Sequence, residues 1–163
     1  MYVSEFTEIN QNPAKMIPRK KIIEKKVIKK EKEMKIGTIG TGVIVDRMIQ
    51  AVNMTDHMSI EAVYSRSEQK ACEYAKKHDV KKYYWNLDEM LNDPEIDTIY
   101  VASPNSLHYS QSKKAILAKK NVINEKPFTP TLKKCNELFE LAKENGVFIF
   151  EAITTIHLPN YAL

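Results

Sequence analysis

The sequence of 163 residues predicts an α/β fold, a doubly wound parallel sheet in three layers, αβα. Three observations predict it. Short apolar runs of strand length alternate with helical patterns from Lys35 to Phe150. The run Asp97 to Ala102, DTIYVA, is apolar without alternation, as expected of a strand covered on both faces. Lys35 to Met48 reads KIGTIGTGVIVDRM, which is strand, glycine turn and helix in direct succession.

The elements follow in order. Ile36 to Gly40 reads as the first strand and Val43 to Val52 as the first helix, with Val43, Met48, Ile49 and Val52 as candidates for its buried side. Ser59 to Ser65 is the second strand. Ser67 then N-caps a helix whose Ala71, Tyr74, Ala75 and His78 fall at i, i+3, i+4, i+7, with His78 in a structural role. Lys82 to Trp85 is a short third strand. Asn86 or Asp88 starts a small helix carrying Leu87, Met90 and Leu91, which Pro94 stops. After the fourth strand, Ser106 to Ala118 reads as a helix with Leu107, Ile116 and Leu117 among its apolar residues. Asn121 to Asn124 is the fifth strand. Thr131 caps a helix with Leu132, Cys135, Leu138, Phe139 and Ala142 inward, and Gly146 ends it. Val147 to Phe150, VFIF, closes the series as a buried strand.

The net charge of +4 belongs to the leader. Residues 1–34 hold nine Lys/Arg against five Asp/Glu, whereas residues 35–163 hold sixteen of each. A basic face for nucleic acid is therefore not expected on the folded body. Within the leader, RKKIIEKKVIKKEKE sets Ile22, Ile23, Val27 and Ile28 at near-helical spacing among lysines. The readings are a membrane-surface or nucleic-acid arm, a solvated and partly helical or disordered tail, or an upstream extension before a start at Met34; the short stripe favours the last two. Cys72 and Cys135 are far apart, which suits a reducing cytoplasm and argues against a disulfide scaffold or a metal site. No apolar run is long enough to span a membrane, and the N-terminus lacks the apolar block of a signal peptide.

The unusual residues fall at strand ends, where a doubly wound sheet binds its ligand. At the glycine turn, Gly40-Thr41-Gly42 leaves backbone open to a pyrophosphate, and the N–H groups of Val43 and Ile44 start the helix that faces it. The third small position of the dinucleotide fingerprint is Val45, a departure that should hold the helix slightly further out. A plain strand-to-helix turn is the alternative. The second strand ends in Tyr64-Ser65-Arg66-Ser67, with no carboxylate for a ribose 2′-hydroxyl. Arg66 suits a 2′-phosphate or stacking on adenine, so the cofactor is NADP or NAD, leaning to NADP; a solvated turn arginine is the alternative. The fourth strand ends in Ser103-Pro104-Asn105 with His108 one turn on, a loop beside the nicotinamide or an ordinary loop capped by Ser106. The fifth ends in Asn124-Glu125-Lys126-Pro127. There the Lys126 ammonium is placed to hold a substrate oxygen, with Glu125 orienting it or setting its pKa, unless the two are only an exposed pair.

With these motifs assembled, Met34 to Leu163 resembles the N-terminal half of the glucose–fructose oxidoreductase / inositol dehydrogenase (Gfo/Idh/MocA) family. IGTIGTG, ASPNSLH, NEKPFT and FEAITTIHLPN match in order, NEKPFT being the most diagnostic. The resemblance implies a Rossmann domain over 35–151 and a cytoplasmic NAD(P)-dependent dehydrogenase acting on sugars, polyols or related diols. By position it implies that Lys126 binds substrate and is important in catalysis, and that Gly40 and Gly42 form the pyrophosphate turn. It places Arg66 on the adenosine side, and Asn105 and His108 beside the nicotinamide. It also suggests a cis bond between Lys126 and Pro127. The family has a second α/β domain that supplies most of the substrate pocket, the oligomer interface and a histidine for proton transfer. Residues 152–163 would be the start of the linker to it. His157, with Pro159 and Asn160, precedes that domain and is not assigned the proton-transfer role. The expectation is a cofactor-binding portion that holds nucleotide with little turnover. The alternative is a non-catalytic dinucleotide-binding sensor or subunit; a methyltransferase with the same glycine turn is a third reading that Lys126 argues against.

Overall fold

A computed structural model describes residues 33–153 of the chain. They form six strands and five helices: β1 (Met34–Ile39), α1 (Val43–Val52), β2 (Met58–Tyr64), α2 (Glu68–Lys77), β3 (Lys82–Tyr84), α3 (Leu87–Leu91), β4 (Thr98–Val101), α4 (His108–Leu117), β5 (Asn121–Glu125), α5 (Leu132–Asn145) and β6 (Ile149–Ala152). The strand order is β3-β2-β1-β4-β5-β6 and every pairing is parallel. The chain winds outward from β1 in one direction and then from β4 in the other, so the expected doubly wound α/β fold is present. The point where the order reverses lies between β1 and β4, beside the glycine turn.

Period-2 alternation in the strands divides the core between the two faces of the sheet. On one face Ile36, Val63 and Tyr100 pack with Val45, Ile49 and Val52 of α1 and with Tyr74 and Ala75 of α2. On the other, Ile39, Ile99, Val101 and Val122 pack with Met90, Ala115, Ile116, Leu138 and Ala142 of α3 to α5. Each fully buried Val, Leu or Ile contributes about 1.5–3 kcal/mol of apolar transfer.

Local signals set most element ends. The Ser67 hydroxyl accepts from Lys70 N–H at 3.4 Å, and the Asn86 side chain accepts from Asp88 N–H at 3.0 Å. Thr131 accepts from Lys134 N–H at 3.3 Å, and Gly146 ends α5 in the left-handed region at φ 67°. His78 is structural, as expected: its Nε2 lies 2.9 Å from Asp46 Oδ1, the oxygen that also accepts from the Tyr74 hydroxyl at 2.6 Å. This cluster ties α2 to the first turn of α1.

The structure corrects several expectations. The buried stripe of α1 is Val45, Ile49 and Val52, at i, i+4, i+7, and Val43 is 68% exposed. Leu132 and Phe139, expected inward, also face outward, because each sits off the stripe its helix buries. The segment after β4 does not enter a helix at Ser106. Asn105–Leu107 make a single 3₁₀ turn, closed by Leu107 N–H on Pro104 O at 2.8 Å, and α4 begins at His108. The VFIF run is not buried throughout. Of its aromatics Phe148 and Phe150 are exposed, whereas Ile149 is buried and Val147 packs against the core partly buried. β6 is an edge strand, and its two outward rings border an apolar trough of about 470 Å³ that runs past Val122 to Met34 and Met48 at the amino ends of the strands. The leader and the tail from residue 154, with His157, Pro159 and Asn160, lie outside the described residues.

Candidate functional site

At the carboxyl end of β1 the chain is threaded between two neighbours. Gly40 N–H donates to Tyr64 O at 3.1 Å, and Ala102 N–H donates to Ile39 O at 2.9 Å. Gly40 has φ +125°, and a Cβ there would lie 2.6 Å from the Ala102 carbonyl oxygen. Only glycine fits that position. Gly42 is different: a Cβ there would meet nothing within 4 Å, so its backbone faces open space. The Gly42 carbonyl accepts from Val45 N–H at 2.9 Å and from Asp46 N–H at 3.2 Å, which starts α1. The N–H groups of Val43 and Ile44 fall in the first turn, where a helix has no acceptor of its own. Val45 is wholly buried beneath the turn, so the β-branched residue at the third fingerprint position belongs to the core.

Two clefts meet over this turn. The first, about 430 Å³, is lined by Gly40, Thr41, Gly42, Ser65, Arg66, Ser103 and Pro104 among others. The second, about 200 Å³, is lined by Ile44, Ala102, Ser103, Asn105, His108, Glu125 and Lys126. Ala102 and Ser103 belong to both, so the two are neighbours along one line of strand ends. Every candidate side chain from the sequence lines one of them except Val43, whose contribution is limited to its backbone.

The walls of the second cleft are held by the loops after β4 and β5. His108, 1% exposed, places Nε2 2.8 Å from Ser103 O and Nδ1 3.0 Å from Pro127 O. One ring thus joins the two loops. The Ser103 hydroxyl donates to Gln111 of α4, and Asn124 Nδ2 donates to Phe128 O at 2.9 Å. Phe128 N–H donates to Glu151 Oε1 at 2.9 Å, which anchors the loop to β6 as well. The Lys126–Pro127 bond is cis.

Glu125 and Lys126 are not an exposed pair. Glu125 is 8% exposed; its Oε1 accepts from the Tyr100 hydroxyl at 2.5 Å and its Oε2 from Lys126 N–H at 3.2 Å. The carboxylate therefore holds the main chain of Lys126. The Lys126 side chain is exposed, and its ammonium has no hydrogen bond or ion pair among the described residues. A cation fixed at its base and free at its tip, on the rim of a cleft, is equipped to bind an oxygen of a ligand.

Two lining residues, and one that stands behind the wall, were not read from the sequence. Lys70 joins Arg66 in the first cleft. Its spacing of four from Arg66 across the Ser67 cap was the available signal, since α2 begins there. Gln111 enters through α4, on the side that faces the β4 loop. Tyr100 is two residues before Ala102, on the same face of β4, and alternation alone marks it only as core.

The family model described as an oxidoreductase family with an NAD-binding Rossmann fold, Gfo/Idh/MocA, matches residues 34–153. The chain belongs to this family. The match covers all six strands and both clefts, so residues 34–153 are its NAD(P)-binding domain. A scyllo-inositol 2-dehydrogenase (NADP(+)) from Bacillus subtilis is 38% identical over 128 residues, 78% of this chain and 39% of that protein. The solved 3-ketoreductase KijD10 from Actinomadura kijaniata, in complex with NADP and TDP-benzene, superposes with TM-score 0.75 at 25% identity, covering 79% of this chain and 40% of that one. The scyllo-inositol dehydrogenase of Lactobacillus casei with bound NAD(H) and scyllo-inositol shares the fold, with TM-score 0.71 at 20% identity over 80% of this chain and 39% of that one. The chain spans about 40% of the length of these relatives. Solved structures that share this fold thus include NADP- and NAD-bound forms. The turn here fits such a cofactor: Gly42 leaves its approach open, and the first turn of α1 offers N–H groups to a phosphate. No described helix is long and apolar enough to cross a membrane.

Proposed function

We propose that this chain is the cofactor-holding part of an NAD(P)-dependent oxidoreductase that moves a hydride between the nicotinamide and a carbinol carbon of a sugar, polyol or related diol. The observation that carries the reading is the Lys126 ammonium, without a partner among the described residues, on the rim of a cleft continuous with the glycine turn. In this reading Gly40, Thr41 and Gly42 and the first-turn N–H groups of Val43 and Ile44 take the pyrophosphate. Ser65, Arg66 and Lys70 take the adenosine end. Ser103, Pro104, Asn105, His108 and Glu125 shape the space beside the nicotinamide ring.

The cofactor, when bound, supplies or accepts the hydride. The chain's own contribution is positional and electrostatic. Lys126 would donate a hydrogen bond to the substrate oxygen, and its charge would stabilise the negative charge that gathers there in the transition state. Two cations at the adenosine end, Arg66 and Lys70, with no carboxylate lining the same cleft, support NADP over NAD.

Titration of the full chain with NADPH and with NADH, followed by nicotinamide fluorescence, tests the reading. Saturable binding with NADPH the tighter ligand is expected. Absence of binding to either nucleotide would overturn it.

A further inference from the structure

Glu125 is acidic, nearly buried and at the ligand edge of the sheet, so something must hold it. Both of its carboxylate oxygens accept hydrogen bonds, from the Tyr100 hydroxyl at 2.5 Å and from Lys126 N–H at 3.2 Å. The second donor is the backbone it is bonded to. The first comes from a different strand. Tyr100 and Glu125 stand on the same face of adjacent parallel strands, because Tyr100 pairs in register with Ile123, and Glu125 is two residues beyond it. The phenol body of Tyr100 packs in the core under α1, and the residue is 3% exposed. Only its hydroxyl reaches the cleft, by way of Glu125.

We propose that Tyr100 is a positioning residue for the nicotinamide end of the cofactor site, acting through the carboxylate of Glu125. This rests on the reading of the second cleft as that end. The ring is buried in one cluster with Val45 of α1, Ile36 of β1 and Val63 of β2, so its hydroxyl has little freedom. The bond fixes the Glu125 side chain, and with it the Lys126 backbone, against the rigid centre of the sheet. Without the hydroxyl the carboxylate would keep only its local partner, Lys126 N–H, and would be free to turn into the cleft it lines, the space the nicotinamide end would use. A residue that served only to fill the core would act on the whole domain and not on one end of a ligand.

The test uses Y100F in the full chain, with E125Q and the double variant. NADPH is titrated by fluorescence, and 2′-phospho-ADP-ribose, which lacks the nicotinamide, by displacement. Y100F is expected to weaken NADPH about five- to tenfold, less than the full worth of one hydrogen bond to a charged group because Tyr100 acts through Glu125, and to leave 2′-phospho-ADP-ribose within twofold. In the E125Q background the same substitution is expected to change NADPH binding by less than twofold. Equal losses for both ligands, an undiminished loss in the E125Q background, or no loss at all would each overturn the proposal. Should Y100F not fold, E125Q alone carries the test: it must weaken NADPH and spare the nicotinamide-free ligand. Failure of the wild-type chain to bind either ligand would instead strike the reading of the site itself.

Discussion

The two glycines of the turn have separable duties, and two alanine substitutions separate them. In Gly40→Ala the new methyl would sit 2.6 Å from the Ala102 carbonyl oxygen, on a residue held at φ +125°. That oxygen is backbone at the end of β4, so relief requires β1 and β4 to part by several tenths of an ångström at their tips. The φ strain alone costs about 1–3 kcal/mol, and the clash raises the total to about 3–4 kcal/mol. In Gly42→Ala the methyl meets nothing within 4 Å and φ is −98°, a value any residue adopts. Its cost should stay below about 1 kcal/mol, the difference between glycine and alanine as an N-cap. Yet the methyl projects into the open approach that the pyrophosphate would use, so affinity should fall at least about tenfold. Urea unfolding gives the stabilities and NADPH titration the affinities. The expected result is a crossed pair: Gly40→Ala strongly destabilised, Gly42→Ala stable and unable to bind tightly. Equal destabilisation by both, or a Gly42→Ala protein that binds NADPH like wild type, would refute the assignment.

Arg66→Ala should weaken NADPH about tenfold while changing NADH less than threefold, and Arg66→Ala with Lys70→Ala should erase the preference; parallel loss for both nucleotides would make Arg66 an adenine-stacking residue. Lys126→Met should leave the unfolding free energy from urea titration within about 0.5 kcal/mol of wild type, since the ammonium has no partner among the described residues; a larger loss would show that the lysine is structural. Asp93 is a pH reporter. Burial would raise its carboxyl, but hydrogen bonds from Lys82, Glu95 N–H and Tyr84 outweigh it and hold the group at about 2, below its usual 3.8. That depression is worth about 1–2 kcal/mol after screening, present above pH 3.8 and lost as the pH falls toward 2. Asp93→Asn should therefore be less stable at pH 7 and show a flatter acid limb in stability against pH; an unchanged limb would remove Asp93 from the account.

What could be read from the sequence followed from periodicity and from turn chemistry. The strand–turn–helix run at Lys35 to Met48 and the caps at Ser67, Asn86, Thr131 and Gly146 each rest on contacts within a few residues, and all are present. The burial assignments that failed depend on what lies across an element. Val43 and Val45 are equally apolar and two residues apart, and only the position of β1 and β4 below the helix decides that Val45 goes in. Phe148 and Phe150 have the composition of a covered strand, but both are exposed, on the last strand in the order of the described sheet.

The candidate site divides along the same line. Its residues sit at strand ends because the fold puts ligand edges there, so the sequence could nominate Gly40, Arg66, Asn105 and Lys126 by position alone. It could not say what each side chain touches. Glu125 and Lys126 are adjacent and opposite in charge, which reads as a surface pair. In the folded chain the carboxylate turns inward to Tyr100, 25 residues away, and leaves the ammonium without a partner among the described residues. That rearrangement turns a common dipeptide into a free cation at the mouth of a cleft. It depends on two strands lying side by side in one register, which no local pattern encodes.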